Sequence, residues 1–556
     1  MAPKVDEPIS EETPLVLYKE IVKDEEEDSS QWQRIKAELV EQMDTAIPTV
    51  QSMVLTKIPW LISLRFVGGI GAEELAAAAL ATTLCNVTGL SLSVGLSSAL
   101  STLAGQAKGE LHSRLIHDKR RRVSFDLADE ADKIGNGPID VTKQQLHCDE
   151  EPLTPLVFLY RGMIIQLALV IPVGIWWLFG IKSFLISLGQ EESVSAMTES
   201  YLRILAPGLW LYSINWTLTA WVQSIGMAFV PAQAAMLGLA LHVPFNLFFI
   251  YVVDWGYLGC AVATVCFQLV QPIFMITYLF GFARGRQQLL ESMGGRAIGR
   301  TGLSFWKEFS LAISSLQGYL QYLGLALPGI IIISEWWASE TAIFLSGRLV
   351  PSPELALGGM TIYQSINSTC FMFPVAFSVA GSARVSNLLG GGHAKKAAFA
   401  AKMSVASAAV VSFLLGATLY LMPHTFLPSL FAPDEEDLVL ETSRTIPLLA
   451  TYVFADGVQT AVNGVIKGCG RQIVIVPIVV VAYWVIAVPL GYYLSFIVHG
   501  GEMECDEGYF CGDVGLVGGL TAGTWVHMIV LVITVVATTD WDVEAKKAKD
   551  RVAKKQ

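Results

Sequence analysis

The chain has 556 residues, of which 53% are hydrophobic and 15% charged, and its formal net charge is −12. Charges cluster between long apolar stretches, which excludes a soluble globular enzyme and identifies an all-α polytopic membrane protein. Much of the acidic excess lies in Asp24 to Asp28 and in short loops, so it says little about substrate, and no nucleic-acid partner is expected.

Residues 1–45 read as a cytoplasmic acidic tail without a cleavable leader. At its end Trp32, Ile35, Leu39 and Met43 share one face, predicting an interfacial helix that leads into the first span. Windows of about 20 residues then predict twelve spans. They lie near 46–67, 80–104, 156–180, 201–224, 230–252, 258–281, 321–345, 356–380, 398–422, 444–466, 473–498 and 515–538. The first six form a lobe over 46–282 and the last six a lobe over 321–538, with a cytoplasmic, partly amphipathic linker at 283–320 and a basic tail at 539–556. Residues 110–152, between spans 2 and 3, read as a long, charged cytoplasmic loop. Within it Arg120-Arg-Arg-Val-Ser124 reads either as a kinase site, with Ser124 as the phosphosite, or as a positive-inside anchor with an incidental serine.

Sequence echoes between the halves indicate a duplication. Ser101-Thr-Leu-Ala-Gly105 matches Ser386-Asn-Leu-Leu-Gly390, and Glu74-Leu-Ala matches Glu354-Leu-Ala. Repeats with an even number of spans share orientation, so the expected fold is two six-helix lobes related by a pseudo-two-fold axis along the membrane normal. With the N-terminus inside, every Lys and Arg except Lys57, Arg65, Lys182, Arg203, Arg348 and Arg444 falls on the cytoplasmic side. Both termini are therefore expected in the cytoplasm. Cys505 and Cys511 share an outward-facing loop and suggest a local disulfide.

The chemistry concentrates in the second half. Glu335 interrupts an apolar run in span 7, and an ionisable residue at that depth is a functional candidate that needs a proton, a cation or a wet cavity. In span 10, Asp456, Gln459, Thr460 and Asn463 fall on one helical face, and in span 8 so do Gln364, Asn367 and Ser368. Two acids among amides suit alternate binding of protons and a desolvated cation. Trp336 and Trp337 offer aromatic faces to an organic cation. Glu340 lies about 140° around the helix from Glu335 and is secondary. Matching Phe66-Val-Gly-Gly69 with Phe344-Leu-Ser-Gly347 sets Lys57 at the position equivalent to Glu335, where it pairs with Glu335, draws anions or snorkels to an interface. Pro328 is the expected hinge of span 7. No metal-ligand spacing or cofactor motif is present, and His242 and His527, apart from any partner motif, read as packed intramembrane histidines.

Taken together, Asn86-Val-Thr-Gly-Leu-Ser with Ser101-Thr-Leu-Ala-Gly-Gln106, Pro328-Gly with Glu335-Trp-Trp, Arg384-Val-Ser-Asn-Leu-Leu-Gly390, Asp456-Gly-Val-Gln and Gly464-Val-Ile-Lys-Gly-Cys-Gly-Arg-Gln472 resemble the multidrug and toxic compound extrusion (MATE) family, in its eukaryotic branch. The likeness covers about residues 45 to 540. It implies a proton-coupled antiporter that expels organic cations, xenobiotics or metabolites, with Glu335 and Asp456 as the family's acidic residues of the seventh and tenth helices. Gln364 stands where some animal members carry a glutamate, and Ser63 near where bacterial members carry a cation-binding aspartate, so coupling is expected in the second lobe. The alternatives are an organic-anion (citrate-like) exporter of the same fold and a channel or receptor. The expected protein is monomeric and sits in the plasma membrane or a vacuolar or other organelle membrane, with the bilayer, protons and a small molecule as its partners.

Overall fold

The computed structural model describes residues 30–132, 154–187, 189–293, 305–505 and 508–553. The acidic tail before Ser30 and the segment 133–153 lie outside the described residues. Twelve long helical rods follow one another. In the first half they are α1 (Gln31–Gly68), α2 (Ala72–Leu84, Cys85–Leu90 and Ser91–Asp132), α3 (Thr154–Phe179), α4 (Glu192–Ser224), α5 (Phe229–Val252) and α6 (Gly256–Gly281). In the second half they are α7 (Leu316–Ser346), α8 (Pro353–Gly390), α9 (Ala394–Leu421), α10 (Ile446–Cys469), α11 (Gln472–Val498) and α12 (Gly512–Thr538), followed by a terminal helix α13 (Trp541–Ala553).

Among the described residues, nine of the rods are long and apolar enough to cross a bilayer by composition alone. The other three, α1, α4 and α10, fall short because they direct polar side chains inward. In α10 every residue from Ala455 to Ile466 is buried, including Asp456, Gln459, Thr460 and Asn463. A helix surrounded by other helices does not meet lipid, so its polar groups need protein or ligand partners and not an apolar coat. Conversely Phe179, Phe413, Leu421, Ile533 and Val536 are exposed on the outside of the bundle, as a hydrocarbon solvent requires.

The helix expected ahead of the first span is present as the continuous start of α1, closed by a capping box between Ser30 and Gln33. Its polar face turns inward, burying Glu38, Gln42, Ala46 and Thr49, while Trp32 is exposed. The loop expected from residue 110 also begins later, because α2 stays helical to Asp132. Charge does not end a helix. The residues in this stretch are good helix formers, and the first breakers, Gly135, Gly137 and Pro138, lie beyond Asp132. Ser124 falls on this helical extension, and the surroundings of its side chain lie outside the described residues. Two helices lie in the linker, Ala283–Ser292 and Phe305–Ser314. The buried Arg161 of α3 holds the second, donating to the carbonyls of Leu311 (3.1 Å) and Ala312 (3.3 Å), where a helix C-terminus favours a cation.

At one end the two lobes are joined by a dense polar seam. Arg384 of α8 bonds Glu38 (3.1 Å) and Glu41 (2.8 Å) of α1, and Gln42 donates to the Ala400 carbonyl of α9 at 3.0 Å. Between α2 and α10, Thr102 donates to the Lys467 carbonyl (2.5 Å) and Gln106 to that of Gly468 (3.1 Å). Glycines let the backbones touch. A Cβ on Gly105 would overlap Ser386, one on Gly109 the Asn387 carbonyl, and one on Gly390 that of Gln106. Arg551 of α13 fastens this end, donating to the carbonyls of Cys469 (2.8 Å) and Gly470 (3.2 Å) and to Gln106 (3.4 Å). Gly470 caps α10 at φ 72°, the left-handed conformation that releases these carbonyls.

Candidate substrate and proton site

Glu335 reaches the interior of the second lobe through a break in α7. Its first part ends at Ile332 and its second begins at Ser334, with Trp336 N–H bonded to the Ile333 carbonyl at 2.9 Å. The interruption thus falls at Ile333, two residues before the acid. Pro328, the expected hinge, lies inside the first part. Its neighbour Gly329 packs so tightly on Ser98 and Gly95 of α2 that a side chain there would clash, which pins the proline turn to the other lobe.

The structure brings Glu335, Asp456 and Gln459 together. Gln459 Nε2 donates to Asp456 Oδ1 at 2.9 Å and to the Tyr483 hydroxyl at 3.1 Å, and stands 3.5 Å from Glu335 Oε2. An amide carries two donor hydrogens, so it cannot satisfy all three acceptors at once. Asp456 is 6% exposed, whereas the Glu335 side chain retains 13%. Glu335 is thus the more accessible of the two acids.

Tyr483, Thr524 and Lys467 went unread as site members in the sequence, and His527 was read only as packing. Tyr483 of α11 shares a hydrogen bond of 3.1 Å with Thr524 of α12, and it sits in a π-helical stretch, Val480–Ala487, of the kind often found at functional positions. His527, one turn beyond Thr524, is fully buried. Its Nδ1 is 3.8 Å from Glu335 Oε2, and its ring meets Tyr483 edge-on at 5.7 Å. It is packed inside the bundle, as the sequence suggests, and it lies beside Glu335. Neither ring nitrogen has a hydrogen-bond partner in the protein. Lys467, farther along α10, adds an attractive charge to Glu335. The only signal available in sequence was the three-residue spacing of Thr524 and His527, and nothing in it indicated which helix they face.

The remaining expected residues stand apart from this network. Asn367 and Asn463 are buried with Oδ1 unpartnered, and Gln364 is half-buried. Trp336 is 43% exposed and packs edge-on against Phe371 at 5.9 Å. Lys57 does not meet Glu335. Its electrostatic partner across the lobes is Glu340. In the first lobe, Ser63 bonds His242 Nε2 at 3.0 Å, and the same nitrogen contacts the Pro59 carbonyl and Asn246 at 3.0 Å. That cluster is buried and contains no carboxylate. Among the described residues no group of three His, Cys, Asp or Glu side chains suits a metal ion. Cys505 and Cys511 are joined in a disulfide.

Comparison with known proteins fixes the family. The MatE family model matches residues 48–118, 156–248 and 329–493. Protein DETOXIFICATION 36 of Arabidopsis thaliana is 28% identical over 510 residues, covering 91% of this chain and 86% of that protein. DETOXIFICATION 12 of the same plant is 26% identical over 509 residues, covering 91% and 90%. Among solved structures, the eukaryotic MATE transporter AtDTX14 superposes with a TM-score of 0.73 over 93% of this chain and all of that one, at 23% identity. A MOP superfamily transporter from Pyrococcus furiosus gives a TM-score of 0.67 at 16% identity, covering 93% and 96%. The chain is a multi-pass membrane transporter that belongs to the MatE, multidrug and toxic compound extrusion, family.

Proposed function

We propose that the protein is an antiporter that expels organic cations or neutral-to-cationic metabolites in exchange for protons, with Glu335 and Asp456 as the shared binding groups. The observation that carries this reading is the single Gln459 amide stretched between two buried acids. Two carboxylates in a low-dielectric interior repel each other, and positive charge arriving between them relieves that repulsion. A proton and an organic cation are competitors for the same vacancy in charge. Glu335, the more exposed of the two, is the acid that both would meet first.

The end sewn by Arg384, Gln106 and Arg551 carries the basic segments, so it is assigned to the cytoplasm together with both termini. In this arrangement the seam closes the cytoplasmic end. An acidic exterior then protonates the acids, releases the cargo and resets the site. Each unit of pH difference supplies about 1.36 kcal/mol per proton, and the potential about 2.3 kcal/mol per charge per 100 mV. The charge of Lys57 is opposed by that of Glu340, which favours a cation over a citrate-like anion. The protein is assigned to the plasma membrane or an organelle membrane, as a monomer.

Competition has a thermodynamic signature. The apparent Kd of the purified protein for a labelled organic cation such as tetraethylammonium is expected to rise as pH falls, by about tenfold per pH unit for each proton displaced. Affinity independent of pH across the range in which transport responds to protons would remove the shared-site assignment.

A further inference from the structure

A second pair of acids lies at the opposite end of the second lobe from the seam. Glu441, in the short helix Glu436–Ser443 just before α10, is 6% exposed, and Asp513, in the first turn of α12, is 1% exposed. Both flank Gly359 of α8. A Cβ built there would stand 3.3 Å from Asp513 Oδ2 and 3.5 Å from Glu441 Cγ. Among the described residues, the one cation in the cluster is Arg444. Its guanidinium is spent on Glu441 Oε2 (3.0 Å), the Met503 carbonyl (3.0 Å) and the Cys511 sulfur (3.5 Å). Asp513 receives no hydrogen bond on either oxygen, and Glu441 Oε1 receives none. The loop before α12 adds Glu504, whose charge opposes that of Glu441, and Tyr509, whose hydroxyl donates to the Arg444 carbonyl at 3.0 Å. From α8 the pair meets Gly359, which brings no charge.

Two carboxylates against one guanidinium leave one buried negative charge, and an unpaired buried carboxylate costs several kcal/mol. Something must neutralise it. A metal ion needs more oxygen or nitrogen donors than two carboxylates supply, and the described residues offer no such group. Hydrogen needs no extra room beside Gly359. We propose that Glu441 and Asp513 bind one shared proton, in a site separate from Glu335 and Asp456. Burial already pushes Glu441 above the ordinary carboxylate range, against the opposing pull of Arg444. The site ties the outer ends of α8, α10 and α12, the last two being helices that carry the central network. Loss of the proton sets two negative charges against each other at that junction.

The test uses the full-length Glu335→Gln/Asp456→Asn protein, whose neutralised central acids make the outcome independent of the coupling mechanism. Infrared spectra at neutral pH, taken before and after adding Asp513→Asn, are expected to differ by the loss of one protonated-carboxyl band. Glu441→Gln should lose the same band, since Arg444 is then free to pair with an ionised Asp513, and this variant serves if the first does not fold. An acid whose proton is held in the folded state and released on unfolding makes stability fall as pH rises above the ordinary carboxylate range. The melting temperature of the background protein should therefore drop more steeply with pH than that of either added variant. No difference band, together with parallel melting profiles, would overturn the proposal.

Discussion

Replacing Glu335 with glutamine, or Asp456 with asparagine, is expected to abolish proton-driven efflux from proteoliposomes while leaving a folded protein. Each change keeps side-chain volume and removes one ionisable group from the network around Gln459 Nε2. Hydrogen bonds to charged groups contribute about 1.5–3 kcal/mol each, so cargo affinity should fall roughly 10- to 100-fold. The more diagnostic loss is in coupling. A variant with one remaining acid can still equilibrate a cation down its gradient, but it has lost half of the charge that protons and cargo exchange. The double variant should respond to membrane potential and not to pH. Undiminished uphill transport in both single variants would assign the exchange elsewhere, with the first-lobe cluster of Ser63, His242 and Asn246 as the alternative.

A second large effect is expected at the seam. Gly109→Val pushes a branched side chain into the Asn387 carbonyl, backbone against backbone, where neither partner can turn aside. Overpacking of this kind costs about 1–3 kcal/mol. Since the side chain clashes only when the lobes meet at this end, the cost falls on the closed state and shifts the balance by roughly 5- to 150-fold toward an open cytoplasmic side. A thiol at Thr102 reports it directly, since Thr102 of α2 is fully buried and donates to the Lys467 carbonyl of α10 across the seam. Maleimide labelling of Thr102→Cys, located by peptide mass, should be slow in the otherwise wild-type protein and much faster when Gly109→Val is added. Arg384→Ala should act in the same direction, because it frees α1 from α8 by removing the bonds to Glu38 and Glu41. Equal labelling in all three proteins would contradict the seam's role as a gate.

Much of this architecture is legible in the chain because the bilayer permits so few solutions. Apolar runs of bilayer length had to be helices, and all twelve appear. Helical periodicity was enough to set Asp456 and Gln459 one turn apart, and their hydrogen bond follows from that spacing. Periodicity also explains why the charge that Lys57 feels is that of Glu340 and not of Glu335. The two acids are five residues apart, about 140° around the helix, so only one of them faces α10. What periodicity cannot supply is which faces of distant helices meet. Tyr483, Thr524 and His527 lie in runs that read as apolar filling, and they become a site only because α11 and α12 pack around α10. The break at Ile333 was hidden for a related reason. The proline five residues earlier carries the obvious local signal, but that turn is clamped to α2 at Gly329.

The most direct test of an exchange between protons and cargo at Glu335 and Asp456 is simultaneous measurement of both fluxes. Purified wild-type protein in vesicles, given an imposed pH gradient, should move a labelled organic cation uphill toward the acidic side. Protons should flow the other way in fixed proportion, and labelled citrate should not be carried. Cation movement without a coupled proton flux, or citrate carried in place of the cation, would contradict the assignment.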